Sequence, residues 1–307
     1  MSEPYHSAPL VVNRLRKSYG KLDVIRDFSL RLEAQAIYGL VGLNGSGKTS
    51  TLECLLGLQA FDGGEVSVLG LPPARLYQAA GAVIGIFDTP SLHPNLSVRQ
   101  CLEHARLLCP QPRRSCAELE KLLDIERYRD VRIRHLSLGN RRRASLAQGL
   151  LGQPELVILD EPFNGLDAAG VDQVLALIQT LNQQEGTSFL LSSHQLPYLE
   201  HICSHLGILH QGELVLSEAV STLLGRQHSS IRVRCHDEAR AVSLVKAAAG
   251  VDYVRTDAAG YSQFELSGSS AEAVNALLVS GGVGVSELLL ERPSLSSLFR
   301  DLTSGQA

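Results

Sequence analysis

The amino-acid sequence predicts an α/β fold with a mainly parallel sheet, followed by a smaller α+β domain. Three observations lead to this prediction. Strand-sized apolar runs alternate with helical segments over most of the chain, and a glycine-rich loop joins one of these strands to a helix. The last part of the chain shows two strand–helix–strand patterns of its own. The length of 307 residues is suited to two domains.

The first elements of the chain are strands separated by turns. Partial alternation predicts strands at 10–15 and 28–32. The nearly continuous apolar run Ile37–Val41 predicts a strand that is buried on both faces. A helix at 49–58 follows the glycine-rich loop, and a further strand is expected at 66–69.

The chain changes character between residues 90 and 150. Prolines separate three segments with helical periodicity, at 97–108, 116–128 and 140–151. Strands are then expected at 156–159 and 188–192, on either side of a helix at 168–185. We therefore expect a helical subdomain at about 90–150, inserted into a domain whose parallel sheet is covered on both faces.

The C-terminal part differs from what precedes it. Short strands are expected at 231–235, 251–255, 262–266 and 285–290, and helices at 238–249, 270–279 and 294–302. Up to the fourth strand, this order matches a split βαβ (ferredoxin-like) unit. We place the domain boundary near 217–229, which gives domains at 1–218 and 219–307. For the second domain we expect a role in regulation or dimer support.

Composition and charge exclude several classes of protein. With 44% hydrophobic and 20% charged residues the chain is globular rather than disordered or fibrous. Its net charge of −4 gives no indication of nucleic acid as a partner. We find no signal peptide and no run of about 20 apolar residues, so we expect a cytosolic chain that does not itself cross a membrane. The six cysteines lack CxxC spacing and are interpreted as free thiols rather than disulfides or zinc ligands.

The glycine-rich loop carries the most specific motif. Residues 42–49 read GLNGSGKT and fit the pattern G-x-x-x-x-G-K-[ST] between a strand and a helix, which is the context that a phosphate-binding loop requires and a flexible glycine turn does not. Backbone amides and the helix N-terminus would bind a polyphosphate, Lys48 would reach its β and γ phosphates, and Thr49 would offer its hydroxyl to Mg²⁺. The residues that we assign to nucleotide binding here are Gly42, Asn44, Gly45, Ser46, Gly47, Lys48, Thr49 and Ser50.

Two acidic residues at the end of a later strand complement this loop. Asp160 and Glu161 directly follow the apolar run 156–159. Such a pair is often only the polar end of a strand. Beside a phosphate loop, however, Asp160 can bind Mg²⁺ and Glu161 can polarise the water that attacks the terminal phosphate. The two motifs together predict phosphoryl transfer to water.

These motifs, with others in the same order, resemble the nucleotide-binding subunits of ABC transporters. The resemblance covers about 11–218. It includes Ser137-Leu138-Gly139-Asn140, which is similar to the family's signature sequence but has leucine and asparagine where glycine and glutamine are usual. It also includes Asp167, in a loop through which two subunits communicate, and His194, similar to the family's switch histidine. Tyr19 stands where the family stacks an aromatic ring on adenine.

The resemblance implies a P-loop NTPase fold, with an antiparallel β subdomain beside the mainly parallel sheet. It further implies two subunits, as a homodimer, paired head to tail around two Mg-ATP. In that pair the signature of one copy binds the γ-phosphate held by the loop of the other. Glu161, His194 and Lys48 then form the catalytic set.

The segment that begins at Asp88 implies contacts outside the ATPase. Asp88 stands where the family has glutamine, and we leave open whether it contacts the metal with Thr49 and Asp160. Residues at about 88–100 resemble the surface on which transmembrane permease subunits press, which implies a peripheral location on the cytoplasmic face of the membrane. The tail, Arg292-Pro293-Ser294-Leu295, resembles that of bacterial exporter ATPases whose membrane parts are separate chains.

Two further interpretations follow from the sequence. The resemblance implies ATP hydrolysis that drives an exporter as the function, and the alternative is a soluble ABC ATPase for cofactor or metal-enzyme assembly. The run Arg141-Arg142-Arg143 is interpreted as a solvent-exposed helix face with one or two pairing partners rather than as a binding patch.

Overall fold

The computed structural model describes residues 8–79, 81–89, 91–225, 228–257, 259–292, 294–296 and 298–299. Of the helix expected at 294–302, residues 294–296 and 298–299 are among those described, and the other four positions lie outside them. The chain divides into two compact units, the first ending at Val220 and the second beginning at Ser221. No helix in the described ranges is long and apolar enough to span a bilayer.

The first unit is built on one nine-stranded sheet. Its strands are β1 (Leu10–Tyr19), β2 (Leu22–Leu32), β3 (Ile37–Val41), β4 (Gly63–Val68), β5 (Val83–Ile86), β6 (Leu156–Asp160), β7 (Ser188–Ser193), β8 (His205–His210) and β9 (Glu213–Ala219). Their order across the sheet is β4-β1-β2-β9-β8-β3-β7-β6-β5. The strands β8, β3, β7, β6 and β5 pair in parallel, whereas β4, β1 and β2 are antiparallel. The predicted mainly parallel sheet with an antiparallel part is confirmed.

The helices of the first unit are α1 (Lys48–Leu55), α2 (Val98–Leu108), α3 (Cys116–Leu122), α4 (Leu138–Gly149), α5 (Ala168–Glu185) and α6 (Leu196–Ile202), and α7 (Val220–Gly225) begins at its last residue. Three of them, α2 to α4, form the helical region between β5 and β6. Ser97 and Ser115 start α2 and α3 with capping boxes, in which the serine hydroxyl and the third helical residue satisfy each other's backbone amides.

The core of the first unit lies along the parallel strands. Every residue of β3, β6 and β7 is buried, as expected for strands covered by helices on both faces. Parallel strands place their carboxyl ends at one edge of the sheet, and this edge of an open α/β sheet is where ligands bind. The phosphate loop, Glu161 and His194 all follow strands at that edge.

The second unit has a separate four-stranded antiparallel sheet. Its strands are β10 (Ser229–Cys235), β11 (Val251–Thr256), β12 (Ser262–Leu266) and β13 (Val285–Glu291), in the order β11-β12-β10-β13, and its helices are α8 (Glu238–Lys246) and α9 (Ala271–Ser280). The element order is that of a split βαβ unit. Its core includes Ile231, Val233, Phe264 and residues of both helices, such as Val245 and Leu278.

Candidate nucleotide site

The loop between β3 and α1 is shaped by close backbone approaches. A methyl group at Gly42 would lie 2.4 Å from Ser46 Oγ and 2.6 Å from the carbonyl oxygen of Leu209. Gly45 and Gly47 have φ angles of 82° and 103°, in the left-handed region that favours glycine. The sequence therefore forms a tight loop at these positions, with α1 starting directly after Gly47.

Two buried polar groups of this loop fit a bound phosphate. Lys48 is only 6% exposed, and its Nζ donates to the carbonyl oxygen of Gly42 at 2.7 Å. The hydroxyl of Ser46 is buried and has no hydrogen-bond partner among the described residues. An unpartnered buried hydroxyl calls for an explanation, and a phosphate oxygen at this helix N-terminus provides one.

Asp160 and Thr49 meet across the edge of the sheet. Thr49 Oγ1 donates to Asp160 Oδ2 at 2.8 Å, and Ser192 Oγ donates to Asp160 Oδ1. Mg²⁺ prefers oxygen ligands. In a nucleotide site the protein supplies few of them, here the Thr49 hydroxyl and one Asp160 carboxylate oxygen, and the phosphates supply others. A cluster of three or more His, Cys, Asp or Glu residues for a metal is not found in the described part of the chain. The donor set thus fits a magnesium ion shared with a nucleotide rather than an all-protein metal site.

Glu161 and His194 form a second pair beside Lys48. The Nδ1 of His194 lies 3.0 Å from Glu161 Oε2, and Lys48 Nζ lies 3.6 Å from Glu161 Oε1. The backbone of Glu161 has φ 48°, and its amide donates to the carbonyl oxygen of Ser192 at 2.9 Å. This turn directs the carboxylate toward both Lys48 and His194. The structure thus brings together the three residues predicted as catalytic.

The interpretation of Arg141-Arg142-Arg143 as a solvent-exposed face is wrong for Arg143, whose side chain is 11% exposed, and for Arg142. The Arg142 side chain is buried, and its Nη1 donates to the carbonyl oxygen of Glu161 at 2.7 Å. Its Nη2 donates to Asp88 Oδ1. The burial follows from helix geometry, because successive residues of α4 point about 100° apart and Arg142 faces the sheet edge.

Asp88 is held by two donors. Besides Arg142, Asn164 Nδ2 donates to Asp88 Oδ1 at 3.1 Å, and Gln195 Nε2 in turn donates to Asn164 Oδ1 at 3.0 Å. Burial raises the pKa of Asp88, but the hydrogen bonds from Arg142 and Asn164 outweigh burial, so the pKa lies below its usual value. The metal contact considered for Asp88 stays a prediction.

The signature residues begin helix α4. Ser137 caps the helix, and its Oγ accepts from the amide of Asn140 at 3.3 Å. Leu138 is 41% exposed and lies against Gly165, where a methyl group would come within 2.5 Å of Leu138 Cδ2. Asp167 caps α5 by accepting from the amide of Gly170. The helix tip therefore presents backbone amides and a serine hydroxyl, as an anion site requires.

Tyr19 lies at the end of β1 and is 43% exposed. Lys17 Nζ lies 4.9 Å from the centre of its ring. Among the described residues, neither Tyr19 nor Ser137 forms a hydrogen bond with the phosphate loop. Their assignments to adenine and to a partner's nucleotide therefore stay predictions.

Sequence reasoning missed four polar residues of the site: Arg142, Asn164, Ser192 and Gln195. Each lies within a few residues of a predicted motif, but nothing in the local pattern distinguishes a side chain that turns into the site from one that does not. For Ser192 alone a signal was available, since a serine at the end of a buried parallel strand next to β6 can reach its neighbour's carboxylate.

Comparison with known proteins agrees with the fold. The family model described as "ABC transporter" matches residues 25–164. A bacitracin transport ATP-binding protein, BcrA of Bacillus licheniformis, is 27% identical over 95% of this chain and 96% of its own length. The Nod factor export ATP-binding protein I of Paraburkholderia xenovorans (strain LB400) is 31% identical over 72% of this chain and 74% of its own. A solved structure described as an ATP-binding subunit of an ABC transporter superimposes with a TM-score of 0.66 at 26% identity, over 71% of this chain and 92% of its own.

The chain belongs to the ATP-binding proteins of ABC transporters. It is an ATPase whose hydrolysis of ATP is coupled to transport.

Proposed function

We propose that this chain is the motor subunit of an exporter, in which two copies close around two Mg-ATP and move separate transmembrane subunits. The contact of Glu161 with His194 and Lys48, beside the phosphate loop, is the observation that carries this proposal. The names of the two relatives described above refer to bacitracin transport and to Nod factor export, which supports a transport role. The identity of a cargo would reside in membrane chains that this sequence does not contain.

Each residue of the site has its own role in the reaction. The loop amides and Lys48 bind the β and γ phosphates, and Thr49 and Asp160 would hold Mg²⁺. Bound there, the ion neutralises charge that develops on the phosphate oxygens. Glu161 accepts a hydrogen bond from the attacking water. His194 forms hydrogen bonds with both the Glu161 carboxylate and the γ-phosphate, and so keeps the two groups in position around that water.

The tip of α4 supports the dimeric arrangement. Ser137 and the following amides lie at a helix N-terminus, which attracts an anion, but they make no hydrogen bond to the phosphate loop within the described part of the same chain. A second copy paired head to tail would supply the γ-phosphate for this tip. The two sites would then be complete only when both copies are present.

A groove beside β5 supports docking of a membrane subunit. It has a volume of about 300 Å³ and lies among β5, α2 and α4 at the edge of the sheet. Its apolar lining includes Ile84, Ile86 and Leu108, and Ser91 places it beside the segment 88–100. A short helix of a membrane chain with apolar side chains would fit this groove.

Trapping the dimer tests the proposal. The Glu161→Gln variant should bind Mg-ATP, hydrolyse it at least about 100-fold more slowly, and elute as a dimer in size-exclusion chromatography with ATP. Glu155→Gln is the matched control, because Glu155 is exposed and precedes the opposite end of β6. Unchanged turnover in Glu161→Gln, or a monomer with ATP bound, would contradict the proposal. Hydrolysis without any copurifying membrane chain would favour the soluble assembly ATPase instead.

A further inference from the structure

We propose that Arg142 is a positioning residue for Glu161, and that Asp88 serves as the counter-ion of Arg142 rather than as a metal contact. The inference rests on the proposed role of Glu161 in activating water. It goes beyond that role by assigning a function to two residues whose charges face each other at the site.

Arg142 joins the first turns of α4 to the backbone of Glu161. It is 6% exposed, and its guanidinium donates in two directions, to the Glu161 carbonyl oxygen at 2.7 Å and to the Asp88 carboxylate. A planar guanidinium with fixed donors holds two acceptors in a defined geometry, which a flexible ammonium group does not. The contact thus fixes the carbonyl of the residue whose side chain activates water.

The backbone of Glu161 needs such support. Its φ of 48° lies in the left-handed region, which is unfavourable for a residue with a side chain. Hydrogen bonds hold the turn on both sides. The amide of Glu161 donates to the Ser192 carbonyl oxygen at 2.9 Å. Its carbonyl oxygen accepts from Arg142 at 2.7 Å and from the amide of Asn164 at 3.2 Å. If the shorter bond from Arg142 is lost, the weaker bond from Asn164 remains, and the turn can relax so that the carboxylate moves away from His194.

Asp88 balances the buried charge of Arg142. Its Oδ1 accepts from both Arg142 and Asn164, so this oxygen is directed at protein donors. The Asp88 side chain is about half exposed, whereas the Arg142 side chain is not. A buried guanidinium requires a partner, and Asp88 supplies the charge that the glutamine usual in this family would lack.

The same contacts reach the residue after His194. Gln195 donates to Asn164, and Asn164 donates to Asp88. Four segments that are distant in sequence are therefore joined: the loop after β5, helix α4, the turn at Glu161–Asn164 and the turn after β7. A shift of α4, whose tip carries Ser137, would be transmitted through Arg142 to Glu161.

Kinetics of Arg142→Gln test the positioning role. We expect kcat to fall about 100-fold with KM for ATP changed by less than about threefold, because a misplacement of about 1 Å is enough for such a loss of rate. Binding of a fluorescent ATP analogue and the melting temperature should stay close to the wild-type values. Arg142→Lys is a second variant that distinguishes loss of positioning from misfolding. It should recover part of kcat because it keeps the charge and one of the two hydrogen bonds.

Arg143→Gln is the matched control. Arg143 is the next residue of α4 and is similarly buried, but it pairs with Asp124 at 3.3 Å instead of Glu161. It should keep kcat within about threefold of the wild type. If Arg143→Gln loses as much rate as Arg142→Gln, or if Arg142→Gln turns over normally, the inference is refuted.

Asp88→Asn separates the counter-ion role from a metal role. We expect it to leave the Mg²⁺ concentration for half-maximal hydrolysis unchanged, and to be non-additive with Arg142→Gln, so that the double variant resembles Arg142→Gln alone. A raised Mg²⁺ requirement in Asp88→Asn, or additive losses, would refute the assignment. A wild-type chain that hydrolyses no ATP would instead refute the proposed function.

Discussion

Ser192 offers a direct test of how the site orients Asp160. Ser192 and Asp160 are paired residues of the neighbouring parallel strands β7 and β6, so their side chains extend from the same face of the sheet. The Ser192 hydroxyl is buried and donates to one oxygen of Asp160, which leaves the other oxygen to Thr49. Replacement of Ser192 by alanine removes the donor and frees the carboxylate to rotate.

The size of the effect follows from the charge of the acceptor. A hydrogen bond to an ionised group contributes about 1.5–3 kcal/mol. Loss of a group that orients a metal ligand typically weakens the metal site about tenfold to hundredfold. We therefore expect Ser192→Ala to raise the Mg²⁺ concentration for half-maximal ATP hydrolysis by at least about tenfold at saturating ATP.

Ser193→Ala is the natural control for this experiment. Ser193 is the adjacent residue of β7, is equally buried, and accepts a neutral hydrogen bond from the amide of Gln195 at 3.0 Å. Its side chain points to the other face of the strand, away from Asp160. A titration of ATPase activity with Mg²⁺ should separate the two variants. Equal Mg²⁺ requirements in Ser192→Ala and Ser193→Ala would refute the reasoning.

Three further predictions concern adenine, the phosphate loop and the second unit. Tyr19→Ala should raise KM for ATP about tenfold while Tyr19→Phe keeps the wild-type KM, since stacking of about 1–3 kcal/mol needs only the ring. Equal KM values in the two variants would contradict adenine stacking. Gly42→Ala should abolish binding of a fluorescent ATP analogue, because the methyl group would lie 2.6 Å from the Leu209 carbonyl oxygen, and retained affinity would show that the loop adapts. Phe264→Ala should destabilise the second unit by about 3–5 kcal/mol in thermal unfolding and leave ATP binding intact. If the variant loses both the fold of the second unit and ATP binding, the two units are not independent.

The buried strands and the loop were predictable because their patterns are local. The run Ile37–Val41 is a short, nearly continuous apolar segment. The phosphate-loop motif after it requires a strand before the loop and a helix behind it. Asp160 and Glu161 were predictable for the same reason, since they follow a continuous apolar strand. β1 was only partly predicted, as the expected 10–15, because register shifts with β2 interrupt its alternation.

The polar contacts of Arg142 were not predictable from the sequence. Three consecutive arginines point in three directions on a helix, and the periodicity does not say which one meets the sheet. Asp88 and Asn164 lie 54 and 22 positions away from Arg142 in the chain, and only the packing of α4 against the sheet edge brings them together. Contacts of this kind depend on tertiary structure, which local pattern does not encode.

The register of the parallel strands also determines where this chain can be lengthened. One extra residue inside β7 ahead of Leu191 would bring Leu191 instead of Ser192 opposite Asp160, because the insertion moves each following residue of the strand by one position. Gln153, by contrast, is exposed and precedes the amino end of β6, about 16 Å of strand away from Asp160. A peptide tag or fluorescent label for single-molecule work therefore belongs in the connection at Gln153, where the added length leaves that register untouched.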